Sequence, residues 1–415
     1  MMNYFYVLWD ESHLWGLMLA RTLKDLKVPF SIITSENIRD NILKHHPPAG
    51  LLVPGGWARL KSQSLGRIGR ENIREYIHSS GKYIGFCGGA GLALKSTPDW
   101  NSLDLCPWGR KPFRNRLPNF SGHVLCRVKT GSKYKDILLP VWWPSQFDPG
   151  SDGSQEIRVI AYYLRPGQDF WSSDLKLSQI DTEDLQKWEY LYGINLDPAY
   201  LYKEPCIIHG FFGKGEYILS YSHLETPQSF HANELLISIL QKWLNSPKSE
   251  HQTRKTSPWD LRHSSKAWQE DTLIKAKQGL DEIISLGQNQ FLLFWRLPWL
   301  LGWRRGIPGA PINFLYAMTC QALAGRPDEQ TINFWNAEKN SFYSDMENFL
   351  KDLKLYLAHE RLAIALTQSS PESSSDDNLQ KQKQKLFGSF PGYGGLYGKL
   401  ICRLDQLVLR LNQSS

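Results

Sequence analysis

The chain has 415 residues, with 48 Lys and Arg against 41 Asp and Glu and a formal net charge of +7. One ordinary hydrophobic core does not extend over this length, so we expect two domains, or one large domain with a tail. The positive charge is modest, and no Lys/Arg tract, zinc-finger spacing or RNA-binding motif accompanies it. We therefore expect no nucleic-acid partner.

The six cysteines show no paired spacing, which argues against a disulfide framework and a metal site and favours a reducing compartment. The first ten residues lack the basic start and apolar core of an export signal. The longest apolar run, Phe291 to Trp303, is broken by Arg296 and Pro298. It is also shorter than the ~20 residues that span a bilayer. We expect a cytoplasmic protein without a metal or cofactor.

Strand and helix patterns alternate through the N-terminal part of the chain, because short apolar runs predict strands and amphipathic segments predict helices. The predicted strands are 4–9, 30–33, 50–56 (ending in a turn) and 82–86, and the predicted helices are 13–27 and 67–79. This α/β alternation favours a parallel sheet, in which functional groups collect beyond the carboxyl ends of the strands. Asp10, Gly55, Gly56 and Cys87 would all lie there.

A cysteine among glycines follows the fourth strand, in the sequence Gly85-Phe86-Cys87-Gly88-Gly89. A strand that turns sharply into a helix at a strained residue is a nucleophile elbow, and small neighbours give that turn its room. The partial positive charge of the helix N-terminus would favour the Cys87 thiolate. The alternative is a Gly-rich turn with an inert, buried cysteine.

The pattern changes after the elbow. In residues 98–205 Trp, Pro and Gly become more frequent. Short apolar runs there predict antiparallel strands at the edge of the sheet. Residues 206–221 predict a hairpin, 230–244 a helix and 246–258 a linker rich in Ser, Lys and Pro. We accordingly expect a first domain over 1–245.

His223 and Glu225 follow the second strand of that hairpin, about 136 residues after Cys87. A cysteine nucleophile needs a base, and the base needs an orienting group. Side chains two apart on an extended segment point the same way, so Glu225 could orient the imidazole while its other edge faces the cysteine. Asp10 is interpreted as a cap of the helix at 13–27, or as an auxiliary carboxylate near the nucleophile.

Helical periodicity dominates 259–415. One apolar face spans 342–357 and a second helix 396–411, whereas the polar segment 369–385 is predicted to be disordered. The apolar faces must pack against each other, the first domain, a protein partner or a membrane surface. The segment 291–305, with three Trp and three Arg, suits either weak contact with a membrane surface or docking of the helical region on the first domain.

Three motifs together resemble the class I glutamine amidotransferase-like superfamily: Pro54-Gly55-Gly56, Gly85-Phe86-Cys87-Gly88-Gly89 and Ser222-His223-Leu224-Glu225-Thr226-Pro227. The elbow and the His-Leu-Glu-Thr-Pro ending are most similar to the N-terminal domain of some biotin protein ligases. The resemblance covers about 3–245 and implies a flavodoxin-like parallel sheet with a nucleophile elbow. It also implies Cys87 as nucleophile, His223 as base and Glu225 as its orienter, with the Gly56 and Gly88 amides as oxyanion donors.

The chain departs from the family pattern at two points. Glutamine-hydrolysing members usually carry Gln four residues after the cysteine, where this chain has Gly91, and no biotinoyl-adenylate loop follows the first domain. We expect no biotinylation. Two functions stay open: a cysteine-dependent hydrolase or amidotransferase-like enzyme acting on an amide or acyl bond of a small-molecule or peptide-like substrate, and a non-catalytic binding or regulatory module. A protein partner would be reached through the C-terminal helices.

Overall fold

The computed structural model describes residues 4–111, 120–150, 157–192, 195–244, 255–304, 306–367, 377–389 and 394–413. The chain divides into two compact units, unit 1 from Met1 to Pro258 and unit 2 from Trp259 to Ser415. Among the described residues, unit 1 contains an eleven-stranded sheet covered by helices, and unit 2 is mostly helical.

Unit 1 begins with alternating strands and helices and continues with longer antiparallel strands. Its described strands are β1 (Phe5–Leu8), β2 (Phe30–Ile33), β3 (Gly50–Val53), β4 (Lys82–Phe86), β5 (Gly109–Arg110), β6 (Phe120–Thr130), β7 (Lys133–Trp142), β8 (Phe147–Asp148), β9 (Arg158–Pro166), β10 (Trp171–Ser172), β11 (Leu175–Lys176), β12 (Pro205–Phe212) and β13 (Gly215–Ser220). Its described α-helices are α1 (His13–Asp25), α2 (Ser35–Arg39), α3 (Ile42–His45), α4 (Ala58–His78), α5 (Gly88–Ala93), α6 (Thr182–Tyr192) and α7 (Phe230–Leu244).

One half of the large sheet is parallel. Its strands follow the order β2-β1-β3-β4-β13, and each neighbouring pair is parallel. With β13 as the fifth strand, this is the 2-1-3-4-5 order of a flavodoxin-like sheet. The sheet continues through antiparallel strands in the order β12-β9-β6-β10-β11, with β7 beside β6. The predicted α/β fold with a parallel sheet is confirmed.

Both faces of the parallel half are buried, which explains why its strands are continuous apolar runs. On one face, Phe5 and Val7 of β1 belong to a core that includes Leu19 of α1 and residues of α7. On the other face, Tyr6 and Leu8 belong to a core with residues of α2, α4 and α5. The carboxyl ends of β1, β3, β4 and β13 therefore meet at one edge, between two layers of helix.

Helix α4 is longer than its sequence pattern predicts. Gly66 has φ 61° and ψ −172°, a non-helical conformation that divides the helix into two segments. The second segment starts where the helix at 67–79 is predicted. The first segment was not predicted because two of its buried positions, Lys61 and Ser62, are polar and break the apolar periodicity.

The described end of the predicted linker, 255–258, is bound to unit 1. The hydroxyl of Thr256 donates to Asn233 Oδ1 at 2.9 Å. The amide and hydroxyl of Ser257 both donate to Asp25 Oδ2, at 2.8 Å each. These residues therefore belong to the fold of unit 1, while residues 246–254 lie outside the described part of the chain.

The described part of unit 2 consists of five helices and a short hairpin. Its described elements are α8 (Asp271–Asn289), β14 (Leu293–Leu297), β15 (Leu300–Trp303), α9 (Gly309–Ala324), α10 (Glu329–Thr367), α11 (Asp377–Phe387) and α12 (Gly395–Gln413). The apolar face at 342–357 lies within α10, and the predicted helix at 396–411 lies within α12. These two helices contact each other.

The prediction of disorder over 369–385 is wrong for 377–385, which lies in α11. Although α11 is polar overall, Leu379, Leu386 and Phe387 recur at helical spacing and are buried. The Phe387 ring lies 5.8 Å from the Phe349 ring of α10 and 6.2 Å from the Tyr397 ring of α12. The polar composition of the segment gave no indication of this apolar stripe. Residues 369–376 lie outside the described part of the chain.

The Trp/Arg segment 291–305 forms the β14–β15 hairpin as far as residue 304. Trp299 is 4% exposed and its ring stacks on Trp259 at 5.6 Å and 14°. The Leu301 amide donates to the buried Asn313 Oδ1 at 2.7 Å. The apolar part of the segment thus packs inside unit 2. None of the described helices is long and apolar enough to cross a membrane.

We expect the chain 1–258 to be more stable than the chain 1–245. The shorter chain loses Thr256 and leaves the buried Asn233 carbonyl without this donor. An unsatisfied buried polar group costs ~1 to 3 kcal/mol. Urea unfolding of the two chains measures the difference, and Thr256→Val in the chain 1–258 should reproduce part of it. Equal unfolding midpoints for all three proteins would contradict the role given to 255–258.

Candidate active site

Cys87 lies between β4 and α5, at the turn that the sequence predicts as an elbow. Its φ of 48° and ψ of −104° are strained for a residue with a side chain. The Cys87 amide donates to Ser220 O at 2.7 Å, and its carbonyl accepts from Gly91 N at 2.9 Å. The first bond ties the elbow to β13, and the second starts the helix. The cysteine is partly exposed.

Three glycines allow this turn to pack directly on neighbouring backbone. A Cβ on Gly88 would overlap Gly56 O, a Cβ on Gly89 would overlap Val53 O, and a Cβ on Gly85 would overlap Gly89 O. Each of these neighbours is backbone, so it cannot move aside as a flexible side chain would. The β4 elbow and the loop after β3 are therefore held in direct contact, which brings the Gly56 and Gly88 amides close together.

His223 and Glu225 form a buried pair. His223 Nδ1 lies 2.8 Å from Glu225 Oε1, and both side chains are fully buried. The backbone around the pair is fixed from several sides. The His223 amide donates to Pro140 O at 2.9 Å, and the Thr22 hydroxyl donates to Glu225 O at 2.6 Å. The imidazole is therefore held in one orientation by a carboxylate, as the sequence predicts.

The second ring nitrogen of His223 is directed to the cysteine. Among the described residues Nε2 has no partner with hydrogen-bond geometry, but Cys87 lies near enough to affect the pKa of the ring. Burial disfavours the imidazolium, yet the Glu225 carboxylate and Cys87 outweigh it and raise the pKa of His223 to about 10. The ring therefore keeps its proton at neutral pH.

Trp15 and Gly55 complete the surroundings of the imidazole. The Trp15 ring lies 4.8 Å from the His223 ring, centroid to centroid, and the Trp143 ring lies 5.6 Å from the Trp15 ring. A Cβ on Gly55 would stand 3.0 Å from His223 Cε1. Gly55, predicted as a possible auxiliary residue, thus gives room to the His223 imidazole. Trp15 was missed because ten of the thirteen residues of α1 are buried, so apolar spacing does not single it out.

The Gly56 and Gly88 amides are the backbone donors that the family resemblance implies for an oxyanion. Within the described ranges, neither N–H donates a backbone hydrogen bond. Gly88 is the first residue of α5, where an N–H has no intrahelical partner. Gly56 has φ +110°, a conformation that favours glycine. Two free donors side by side at a helix N-terminus can bind an anionic oxygen.

Asp10 caps a different helix from the one predicted. Its Oδ2 accepts from Ser35 N at 2.7 Å, at the start of α2, whereas the cap position of α1 is Ser12. Burial raises the pKa of Asp10, although the Ser35 amide and the Lys61 charge act in the opposite direction. Lys61 is itself fully buried, and its ammonium donates to Asp10 O at 2.7 Å. Asp10 is thus a structural group of the β1 end.

No protein-family model matches the chain, and no curated protein matches it in sequence. Among solved structures, a protein assigned as a GMP synthase subunit from Thermoplasma acidophilum is similar at 11% identity and a TM-score of 0.37, with 59% of this chain and 96% of that chain covered. A glutamine amidotransferase from Thermotoga maritima is similar at 11% identity and a TM-score of 0.32, with 59% and 85% covered. A β-galactosidase from Bacillus circulans is similar at 13% identity and a TM-score of 0.31, with 59% and 31% covered. These similarities are too weak to define the fold, which follows from the order and register of the sheet.

We expect opposite effects from alanine at two elbow glycines. A Cβ on Gly91 would meet Ala58 Cβ at an ordinary 3.4 Å, so Gly91→Ala should stabilise α5 by ~0.5 to 1 kcal/mol. Gly88→Ala should destabilise unit 1 strongly, because its Cβ would overlap Gly56 O. Urea unfolding of both variants measures the difference. Equal tolerance at the two positions would contradict the packing of the elbow on the β3 loop.

The stability that His223 contributes should fall as the pH rises. Its pKa is raised from 6.5 to about 10, so the charged ring stabilises the folded state fully below pH 6.5, and this contribution is lost as the pH rises through about 10. Urea unfolding of the wild type and His223→Asn at several pH values measures it. The difference in unfolding free energy should shrink toward pH 10. His45→Asn, at an exposed position, is the matched control and should show no such trend.

Proposed function

We propose that unit 1 is a cysteine-dependent hydrolase or amidotransferase-like enzyme that acts on an amide or acyl bond. The observation that carries the proposal is the buried His223–Glu225 pair, at 2.8 Å, beside a cysteine on a strained turn. A nucleophile, a base and a group that orients the base are the set required for covalent acyl transfer. The resemblance of the three motifs to class I amidotransferases supports the same roles.

In the proposed reaction the Cys87 sulfur attacks the carbonyl carbon of the substrate. The carbonyl oxygen becomes anionic and accepts hydrogen bonds from the Gly56 and Gly88 amides, one such donor being worth ~3 to 4 kcal/mol in the transition state. The His223 imidazolium then gives its proton to the leaving nitrogen or oxygen as the carbon–heteroatom bond breaks. Water, deprotonated by His223, attacks the thioester and regenerates Cys87.

The proposed substrate is a small-molecule or peptide-like amide. Gly91 occupies the place where glutamine-hydrolysing members carry Gln, and its surroundings do not require glycine there, since a Cβ would meet Ala58 alone at 3.4 Å. This difference argues against free glutamine as the substrate.

The second candidate is a binding or regulatory module that keeps the elbow without turnover. The same Gly91 substitution favours it, because a pocket altered beside the nucleophile can hold a ligand and not process it. The two candidates differ in one measurable respect. An enzyme requires an activated thiolate at Cys87, whereas a module does not.

We expect iodoacetamide to alkylate Cys87 before the other five cysteines. Cys87 is partly exposed beside the His223 imidazolium, Cys402 is exposed, and the remaining four are buried. Intact-mass spectrometry and peptide mapping at pH 7 give the order of labelling. His223→Asn should slow the labelling of Cys87 by tenfold or more, an order-of-magnitude estimate from general base contributions of ~10² to 10⁴.

Two results would refute the proposal that unit 1 is an enzyme. One is labelling of Cys402 ahead of Cys87 in the native protein, since exposure alone would then set the order. The other is an unchanged rate at Cys87 in His223→Asn. If Cys87 is activated, release of amine from a panel of peptide-like amides should depend on Cys87 and be lost in Cys87→Ser. Activation without any release would favour the binding module.

A further inference from the structure

A second set of polar groups in unit 1 has the arrangement of a serine hydrolase triad. His123 Nε2 lies 3.1 Å from Ser229 Oγ, and His123 Nδ1 lies 2.7 Å from Asp169 Oδ2. The His123 amide also donates to Asp169 Oδ1 at 3.0 Å, so both carboxylate oxygens hold the same residue. None of these three residues belongs to the Cys87 site.

The backbone positions these groups closely. His123 lies on β6, Asp169 lies in the turn between β9 and β10, and Ser229 immediately precedes α7. Gly122 has φ +131°, and a Cβ there would stand 2.7 Å from both Asp169 O and Phe170 Cα. The Gly167 amide donates to His123 O at 2.7 Å. The β6 strand and the β9–β10 turn are therefore packed together by a glycine contact, as at the Cys87 elbow.

The hydrogen bonds select the tautomer that a general base requires. Burial opposes ionisation, but the hydrogen bonds from His123 outweigh it and lower the pKa of Asp169. The carboxylate thus accepts from Nδ1–H, and in that tautomer Nε2 is the ring nitrogen that can accept a hydrogen bond. The Ser229 hydroxyl then donates to Nε2. This is the orientation in which imidazole can remove the serine proton.

Ser229 lies at the N-terminus of a 15-residue helix and at the wall of a cavity. Its carbonyl accepts from Asn233 N at 2.9 Å, which makes Ser229 the last residue before α7. The first N–H groups of a helix have no intrahelical partner and can bind an oxyanion. His123, Asp169 and Ser229 all line the cavity, which has a volume of about 420 Å³. A volume of this size accommodates a small molecule.

We propose that Ser229, His123 and Asp169 form a second catalytic site, which hydrolyses small, uncharged carboxylic esters. Leu138 and Phe230, which are 42% and 40% exposed, give the cavity apolar walls, and Gln168, Gln228 and His231 add polar groups. The Asp169 carboxylate repels an anionic ester. These walls fit a short acyl group joined to a neutral alcohol.

The reaction conserves atoms and charge. Ser229 Oγ attacks the ester carbon while its proton passes to His123 Nε2, and the carbonyl oxygen becomes an oxyanion at the start of α7. The ester C–O bond then breaks, and His123 returns the proton to the departing alcohol. Water attacks the acyl-serine and gives a proton to His123. The bond between Ser229 Oγ and the acyl carbon then breaks, His123 returns the proton to Ser229 Oγ, and the carboxylic acid is released.

A fluorophosphonate with an uncharged reporter group tests the proposal on the full chain. Serine attack forms a P–O bond and expels fluoride, and the serine proton passes to the base, so the label marks an activated serine. We expect stoichiometric labelling, mapped to Ser229 by mass spectrometry and absent from Ser229→Ala. Ser238→Ala, on an exposed position of α7, is the matched control and should label like the wild type.

His123→Gln should slow the labelling of Ser229 by about 100-fold, the lower end of general base contributions of ~10² to 10⁴. If circular dichroism shows that this variant is unfolded, Asp169→Asn replaces it and the same slowing is expected. Failure of the native chain to label at Ser229, while a known serine hydrolase labels in the same solution, would overturn the proposal. An unchanged rate in a folded His123→Gln or Asp169→Asn variant would overturn it equally. Neither result bears on Cys87, because the label is read at Ser229.

Discussion

The direct contact of the β4 elbow with the loop after β3 is the constraint on which the Cys87 site depends. Gly88 lies against Gly56 O and Gly89 against Val53 O, at distances that no side chain would allow. This contact places two amides together at a helix N-terminus and sets the strained backbone of Cys87 beside them. Backbone packing of this kind cannot relax by rotamer changes, so the site is preorganised by the sheet itself.

One connection, 221–229, serves both polar sites of unit 1. It starts with His223, which faces Cys87, and ends with Ser229, which faces His123. Buried Asn233 bonds the carbonyls of Leu224 and Thr226 at 2.8 and 3.0 Å, and its own carbonyl accepts from Thr256. The end of the predicted linker thus supports, through one amide side chain, the loop that supplies both the proposed base and the proposed second nucleophile.

Local patterns predicted those parts of the structure that depend on local chemistry. The strands at 30–33 and 82–86, the elbow and the pair His223–Glu225 follow from apolar runs, glycine content and a spacing of two. The partner of Asp10 did not, because the amide of Ser35 is brought to it by the β1–β2 pairing. The contact of His123 with Asp169 and Ser229 joins three distant segments and leaves no spacing to recognise. Helix α11 was misjudged because overall polarity outweighed three apolar positions.

The pairing of β4 with β13 also has a consequence for the order of folding. Ser220 stands opposite Phe86 in a parallel register, and a shift by one residue would turn the side chains of β13 to the other face. The two strands come from widely separated parts of the chain, with six other described strands of the large sheet between them in sequence. Non-local pairings of this kind form late, since the entropy cost of closing the long loop comes before the contacts that offset it. Cys87 is therefore expected to meet His223 only in a nearly complete unit 1, and a partly folded chain carries the thiol without the imidazole beside it.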